Sequence, residues 1–211
     1  VNFQYSLINT SIFFTLIIYY LKSHNTFKPL KIFVYEGLGI GFISFMVISF
    51  SILINLSGIF KETSIGITSL IIIFIISAYG MINARNITIK NVELTSAKIH
   101  NNLNIIFISD VHLGTNTTKH LKKILNKIKT IKYDFLIIGG DLIDSSSFNI
   151  NDLTILNEIK KEIYFVNGNH EYYLKNYKNK ISQLKKFNIR ILKNTSKQID
   201  QINLIGIDDI E

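Results

Sequence analysis

The chain has 211 residues, no cysteine, one proline and a formal net charge of +8 at pH 7. The missing cysteines exclude disulfide scaffolds, thiolate metal sites and cysteine nucleophiles, and a single proline argues against long disordered linkers. Lysine, isoleucine and asparagine abound throughout and no recognition motif accompanies the charge, so nucleic acid is not expected as a partner.

Residues 1 to 84 carry only six charged side chains, Lys22, Lys28, Lys31, Glu36, Lys61 and Glu62. Crossing a bilayer core takes about 20 predominantly apolar residues in a helix. Residues 3 to 21, 32 to 56 and 65 to 83 are of that kind, so about three transmembrane helices are expected, a pattern unlike a lone signal peptide. Tyr19, Tyr20, Phe33, Tyr35 and Tyr79 stand near their ends, where amphipathic rings favour the interface. Gly37 and Gly41 have small-xxx-small spacing, which lets a second helix approach closely. The link from Lys22 to Lys31 holds three lysines and no acid, whereas Ser57 to Ser64 holds one Lys and one Glu. The first link is therefore expected on the cytoplasmic side, and the third helix returns the chain there. Arg85 and Lys90 agree, and an integral protein of a bacterial-type inner or plasma membrane with a cytoplasmic second domain is expected.

Residues 85 to 211 read as that second domain, of α/β type. Ile87, Ile89, Val92 and Leu94 suggest a short strand pair over residues 86 to 100. Residues 104 to 109, 135 to 138 and 163 to 166 are apolar runs rich in β-branched and aromatic residues, as parallel strands covered on both faces should be. Between the first two, Leu121, Ile124, Leu125 and Ile128 recur at helical spacing among lysines, which predicts a crossover helix over 119 to 132. Tyr172, Tyr173 and Tyr177 either line a substrate groove or are buried by a helix from Glu171 to Phe187. Residues 202 to 207 read as one more strand reaching the same sheet edge. His100 and His120 are read as surface residues. The domain holds 19 basic and 13 acidic side chains, most simply a solvated, mildly basic surface, although lysines beside an anionic leaflet would also favour lipid headgroups.

A short polar cluster follows each of the three strands: Asp110-Val-His112, Gly140-Asp141-Leu-Ile-Asp144 and Gly168-Asn169-His170-Glu171. Asp110 and Asp141 lie 31 residues apart and Asp141 and Asn169 lie 28 apart, about one βαβ unit each time. Ligands collect beyond the carboxyl ends of such strands, so the three clusters should converge on one crevice. Carboxylates, a carboxamide oxygen and neutral imidazole suit manganese, iron or zinc. Two such ions sharing one carboxylate, for which Asp141 is the candidate, would polarise a phosphoryl group and generate hydroxide near neutral pH.

The ordered clusters resemble the signature of the calcineurin-like metallophosphoesterases: Asp-x-His, then Gly-Asp-x-x-Asp, then Gly-Asn-His-Asp/Glu. The resemblance covers residues 86 to 211 and implies a metallophosphoesterase-type αββα sandwich. It further implies that Asp110 and His112 bind one divalent ion, Asp141 bridges two, and Asn169 binds the second. His170 would face the phosphate as a catalytic group. Asp144 would serve on the catalytic side or in support, and Glu171, with Asn169 and His170, on the substrate side. The implied activity is membrane-anchored hydrolysis of phosphoester or pyrophosphate bonds. The implied substrate is a phosphorylated small molecule or lipid, since membrane-associated bacterial members, including relatives of UDP-diacylglucosamine hydrolases, suggest a lipid-linked or cell-envelope compound. The family completes its site with a further His and a His-x-His pair, whereas the histidines here are His24, His100, His112, His120 and His170. The chain is therefore expected to be a fragment, incomplete at its carboxyl end, with weak metal binding and little hydrolysis by itself. A non-catalytic membrane-anchored scaffold or regulatory protein is the alternative.

Overall fold

A computed structural model describes residues 3–22 and 28–209. The chain divides into two compact units, Val1–Thr88 and Ile89–Glu211.

The first unit contains three helices, α1 (Phe3–Lys22), α2 (Lys28–Asn55) and α3 (Glu62–Asn83). Pro29 falls in the first turn of α2, where a missing N–H costs nothing. Two segments, Glu36–Asn55 and Glu62–Asn83, are long and apolar enough to cross a membrane, while the apolar part of α1, Leu7–Tyr19, is shorter than a span. Three spans were expected, and two meet the length criterion among the described residues. An interhelical hydrogen bond joins α2 to α3 through the hydroxyls of Ser51 and Ser69, 2.6 Å apart, and each is also anchored to its own helix, on Val47 O and Ile65 O. Such a pair satisfies two hydroxyls that lipid could not. Gly37 admits the Phe13 ring of α1, since a Cβ there would lie 3.0 Å from it, whereas Gly41 has no neighbour at that range. Most of the lysine-bearing link, residues 23–27, lies outside the described residues.

In the second unit, β1 (Ile105–Ile108), β2 (Phe135–Gly139), β3 (Ile163–Val166) and β4 (Ile189–Ile191) form one parallel sheet in that order. The crossovers are α4 (Thr118–Ile128), a 3₁₀ segment (Ile150–Glu158), and the pair α5 (Asn169–Tyr172) and α6 (Tyr177–Gln183) with a closing 3₁₀ turn (Leu184–Phe187). Sequential parallel strands with right-handed crossovers put every connection on one face. That face is the main core, where Leu121 and Leu125 of α4, Leu153 and Leu156 of the 3₁₀ segment, and Leu184 pack on Leu136, Ile138, Ile163 and Phe165. Each fully buried aliphatic side chain contributes about 1.5–3 kcal/mol. A helix from Glu171 to Phe187 does not form as one piece, because Asn176 is left-handed (φ 55°) and separates α5 from α6.

The opposite face is covered by an antiparallel hairpin, β5 (Thr195–Ile199) and β6 (Ile202–Gly206), which sets Ile199, Ile202 and Leu204 against Phe135, Tyr164 and Leu192. The strand expected over 202 to 207 therefore belongs to a second, smaller sheet. The hairpin leaves β1 open: Phe107 is 63% exposed and Ile105 is exposed too, so β1 is covered on one face, not on both as its composition suggested. The strand pair expected over 86 to 100 is absent as well, since residues 87 to 95 have no regular structure and Ile89, Val92 and Leu94 face solvent. Apolar alternation makes a strand only where a partner strand is at hand to complete the hydrogen bonds.

Candidate metal centre

The loops leaving β1 and β2 run side by side, because the strand pairing continues past the strands as a backbone zipper. Asp110 N donates to Gly140 O at 3.2 Å, His112 N to Asp141 O at 2.9 Å, and Leu113 N to Leu142 O at 2.8 Å. Asp110, His112 and Asp141 all adopt left-handed backbone conformations, with φ of 56°, 51° and 53°. Such conformations are uncommon outside glycine and persist where the surroundings enforce them, often at functional sites. The third loop docks onto the second at a place where no side chain fits. A Cβ on Gly140 would lie 2.7 Å from Gly168 N, and one on Gly168 would lie 2.2 Å from Asp141 Oδ1.

This contact orients Asp141. His170 N donates to its Oδ1 at 3.0 Å, which fixes the carboxylate and leaves Oδ2 for another partner. Ligand atoms of His112, Asp141 and His170 lie within 4.8 Å of one another, and the rings of His112 and His170 meet edge to face with centroids 4.5 Å apart. Asp110 stands at the rim, 66% exposed, with Oδ1 3.5 Å from His112 Nε2. Asn169 is exposed and its Nδ2 faces Tyr173 OH at 3.5 Å, which leaves the amide oxygen free of that contact. Asp110, His112, Asp141, Asn169 and His170 thus gather at the carboxyl ends of β1, β2 and β3. Imidazole, carboxylate and carboxamide oxygen in one crevice, with Asp141 held by one oxygen, form a donor set that fits divalent ions of borderline hardness.

Asp144 stands behind this group. Its carboxylate accepts from Thr115 N at 2.8 Å and from the Thr115 hydroxyl, and its Oδ2 lies 3.6 Å from His112 Nδ1. A carboxylate beside Nδ1 is the arrangement that turns Nε2 of a histidine toward an ion, and Asp144, with its side chain 7% exposed, stands on that side of His112.

Glu171 departs furthest from expectation. Its side chain is fully buried. Oε2 accepts from Asp141 N at 2.9 Å and Gly168 N at 2.8 Å, and Oε1 accepts from Ile143 N at 3.0 Å. Burial pushes the carboxyl above its usual range, and the three backbone donors pull it back only in part. A group so enclosed cannot meet substrate; it ties the second and third loops together. Of the tyrosines, Tyr173 is the one placed beside the site, exposed and edge-on to His170 with centroids 5.8 Å apart. Tyr172 is half-buried and lies against Tyr177.

The profile of the calcineurin-like phosphoesterase family matches residues 103–210. Among curated proteins, a transmembrane protein with metallophosphoesterase domain from Danio rerio is 30% identical over 74% of this chain and 38% of its own length. Metallophosphoesterases of Campylobacter jejuni and Helicobacter pylori are 29% and 32% identical, over 67% and 57% of this chain and 40% and 34% of theirs. The chain thus spans little more than a third of the length of these relatives. No solved structure matches.

Proposed function

The chain belongs to the calcineurin-like phosphoesterase family, and on that premise we propose that it serves a membrane-anchored, metal-dependent phosphoesterase acting on phosphoester or pyrophosphate bonds. The observation that supports this most is the meeting of His112, Asp141 and His170 on one crevice, with Asp110 and Asn169 at its rim.

In this reading Asp110 and His112 would hold one divalent ion and Asn169 a second, with Asp141 available to both and manganese, iron or zinc as the candidates. When bound, such ions polarise a phosphoryl oxygen and acidify a water. The protein's own residues do the rest. Asp144, whose Oδ2 lies 3.6 Å from His112 Nδ1, would orient that ring so that Nε2 faces the crevice. The backbone N–H of His170 holds Asp141 in register. The His170 imidazole, edge-on to His112, is assigned to the phosphoryl group, where its N–H stabilises developing charge or is given to the leaving oxygen. Tyr173 forms the adjoining wall.

The relatives named as transmembrane proteins and the two span-length helices support membrane attachment. Two spans, α2 and α3, return the chain to the side on which it entered. The Lys22-to-Lys31 link and Arg85 then share one side whether or not α1 crosses, and their positive charge supports a cytoplasmic location for that side. A lipid-linked or cell-envelope phosphate compound is the substrate class this arrangement favours.

The test is hydrolysis of a bis-aryl phosphodiester by the full-length protein before and after chelation. Turnover is expected to vanish with EDTA and to return with Mn²⁺; turnover indifferent to the chelator contradicts the proposal.

A further inference from the structure

Beyond the metal-site residues, a second polar cluster joins three passes of the chain that follow β3, β4 and β6. Lys193 Nζ donates to Asp208 Oδ2 at 2.6 Å and to Tyr172 OH at 3.4 Å, and sits over the Tyr172 ring 5.5 Å from its centroid. Asn167 Nδ2 donates to Asp208 Oδ1 at 3.2 Å and lies 3.4 Å from Tyr172 OH. Asp208 N donates to Asn194 Oδ1 at 2.9 Å, where Asn194 turns the chain in a left-handed conformation (φ 49°). Close packing fixes this corner, since a Cβ on Gly206 would lie 2.2 Å from Leu192 Cβ.

An exposed ion pair contributes little, about 0–1 kcal/mol, and Lys193 alone, 52% exposed, would suggest one of that kind. Asp208 is different: its side chain is 8% exposed and meets Lys193 and Asn167, while its backbone N–H is held by the Asn194 side chain. The placement of its partners is the informative part. Asn167 is buried and lies immediately before Gly168, while Tyr172 is the last residue of α5. The cluster therefore grips both ends of the short turn that carries Asn169 and His170.

We propose that the Lys193–Asp208 pair, through Asn167 and Tyr172, is a positioning device that sets the Asn169–His170 turn against Asp141. It carries the order of the β5–β6 hairpin into the candidate metal centre. The inference deepens the phosphoesterase reading and rests on it. Its residues touch neither ion nor substrate, so their effect is on the geometry with which Asn169 and His170 are offered. Residues that orient metal ligands typically change metal affinity or activity by about 10–100-fold.

The experiment compares Asp208→Asn, Lys193→Met, Lys193→Arg and the Asp208→Asn/Lys193→Met double variant in the full-length protein. The readouts are Mn²⁺ affinity by calorimetry, kcat and KM on a bis-aryl phosphodiester, and Tm. Asp208→Asn is expected to weaken Mn²⁺ binding and lower kcat by about tenfold or more, with KM within twofold. Lys193→Met should act in the same direction and Lys193→Arg should largely restore. The double variant should be no worse than Asp208→Asn, as for members of one network. Should Asp208→Asn fail to fold, Tyr172→Phe removes a single hydroxyl and is expected to lower Mn²⁺ affinity a few-fold. Lower Tm with unchanged Mn²⁺ affinity and kcat would overturn the proposal, leaving the cluster a plain structural tie. Failure here stays distinct from failure of the phosphoesterase reading, because chelation tests that reading without touching the cluster.

Discussion

Replacing Asp141 by Asn should lower metal-dependent phosphodiester turnover in the full-length protein at least about 10³-fold, or about 4 kcal/mol of transition-state stabilisation. The substitution is nearly isosteric, and the backbone at this position (φ 53°) is one that Asn adopts readily. An Asn oxygen can still accept from His170 N, as Asp141 Oδ1 does at 3.0 Å. What changes is the other atom, where an anionic oxygen able to join two cations becomes an N–H₂ that can bind neither. Folding should be retained, so Tm within a few degrees of wild type together with lost turnover is the expected signature. Turnover within threefold of wild type would remove Asp141 from the shared position and with it the proposed arrangement.

The second large effect is expected at Glu171, and it falls on stability first. Glu171→Ala strips the acceptor from Asp141 N, Ile143 N and Gly168 N at once. Each buried N–H left unsatisfied costs about 1–3 kcal/mol, so the loss should reach at least about 3 kcal/mol. Glu171→Gln keeps the shape, and its better orientation puts the N–H₂ toward Ile143 N and keeps the two bonds from Asp141 N and Gly168 N, so the cost should be about 1–3 kcal/mol. Thermal unfolding checks both. Metal affinity should fall in the same order, since Asp141 and Gly168 are members of the loops that Glu171 joins. A Glu171→Gln protein as stable as wild type, with Mn²⁺ binding intact, would contradict this role.

The strands of the parallel sheet that carry the motifs were legible in the sequence for a physical reason: strands buried between layers have to be continuous apolar runs. Residues 135 to 138 and 163 to 166 meet that condition, whereas residues 104 to 109, covered on one face only, were legible from their β-branched run and the crossover helix that follows. The motif residues were legible because parallel topology delivers strand ends to one crevice whatever the details of packing. Glu171 was not, since a carboxylate beside a histidine looks the same in sequence whether it faces substrate or three buried amides; only the backbone approach allowed by Gly140 and Gly168 decides it. The open face of β1 was hidden for a related reason, because composition reports what a strand could bury and not what covers it. Asp208 and Lys193 carried no signal either, as two ordinary surface charges 15 residues apart in sequence. Their pairing exists because the β5–β6 hairpin folds back over β2 to β4 and ends beside Asn167.

The central claim, that Asp141 stands between two ions at the ends of β1, β2 and β3, is met most directly by anomalous diffraction at the manganese edge from crystals of the full-length protein soaked in Mn²⁺. Two peaks about 3.5–4 Å apart, flanking the Asp141 carboxylate with His112 on one and Asn169 on the other, are the predicted result. A map with no peak within coordination distance of Asp141 would contradict it.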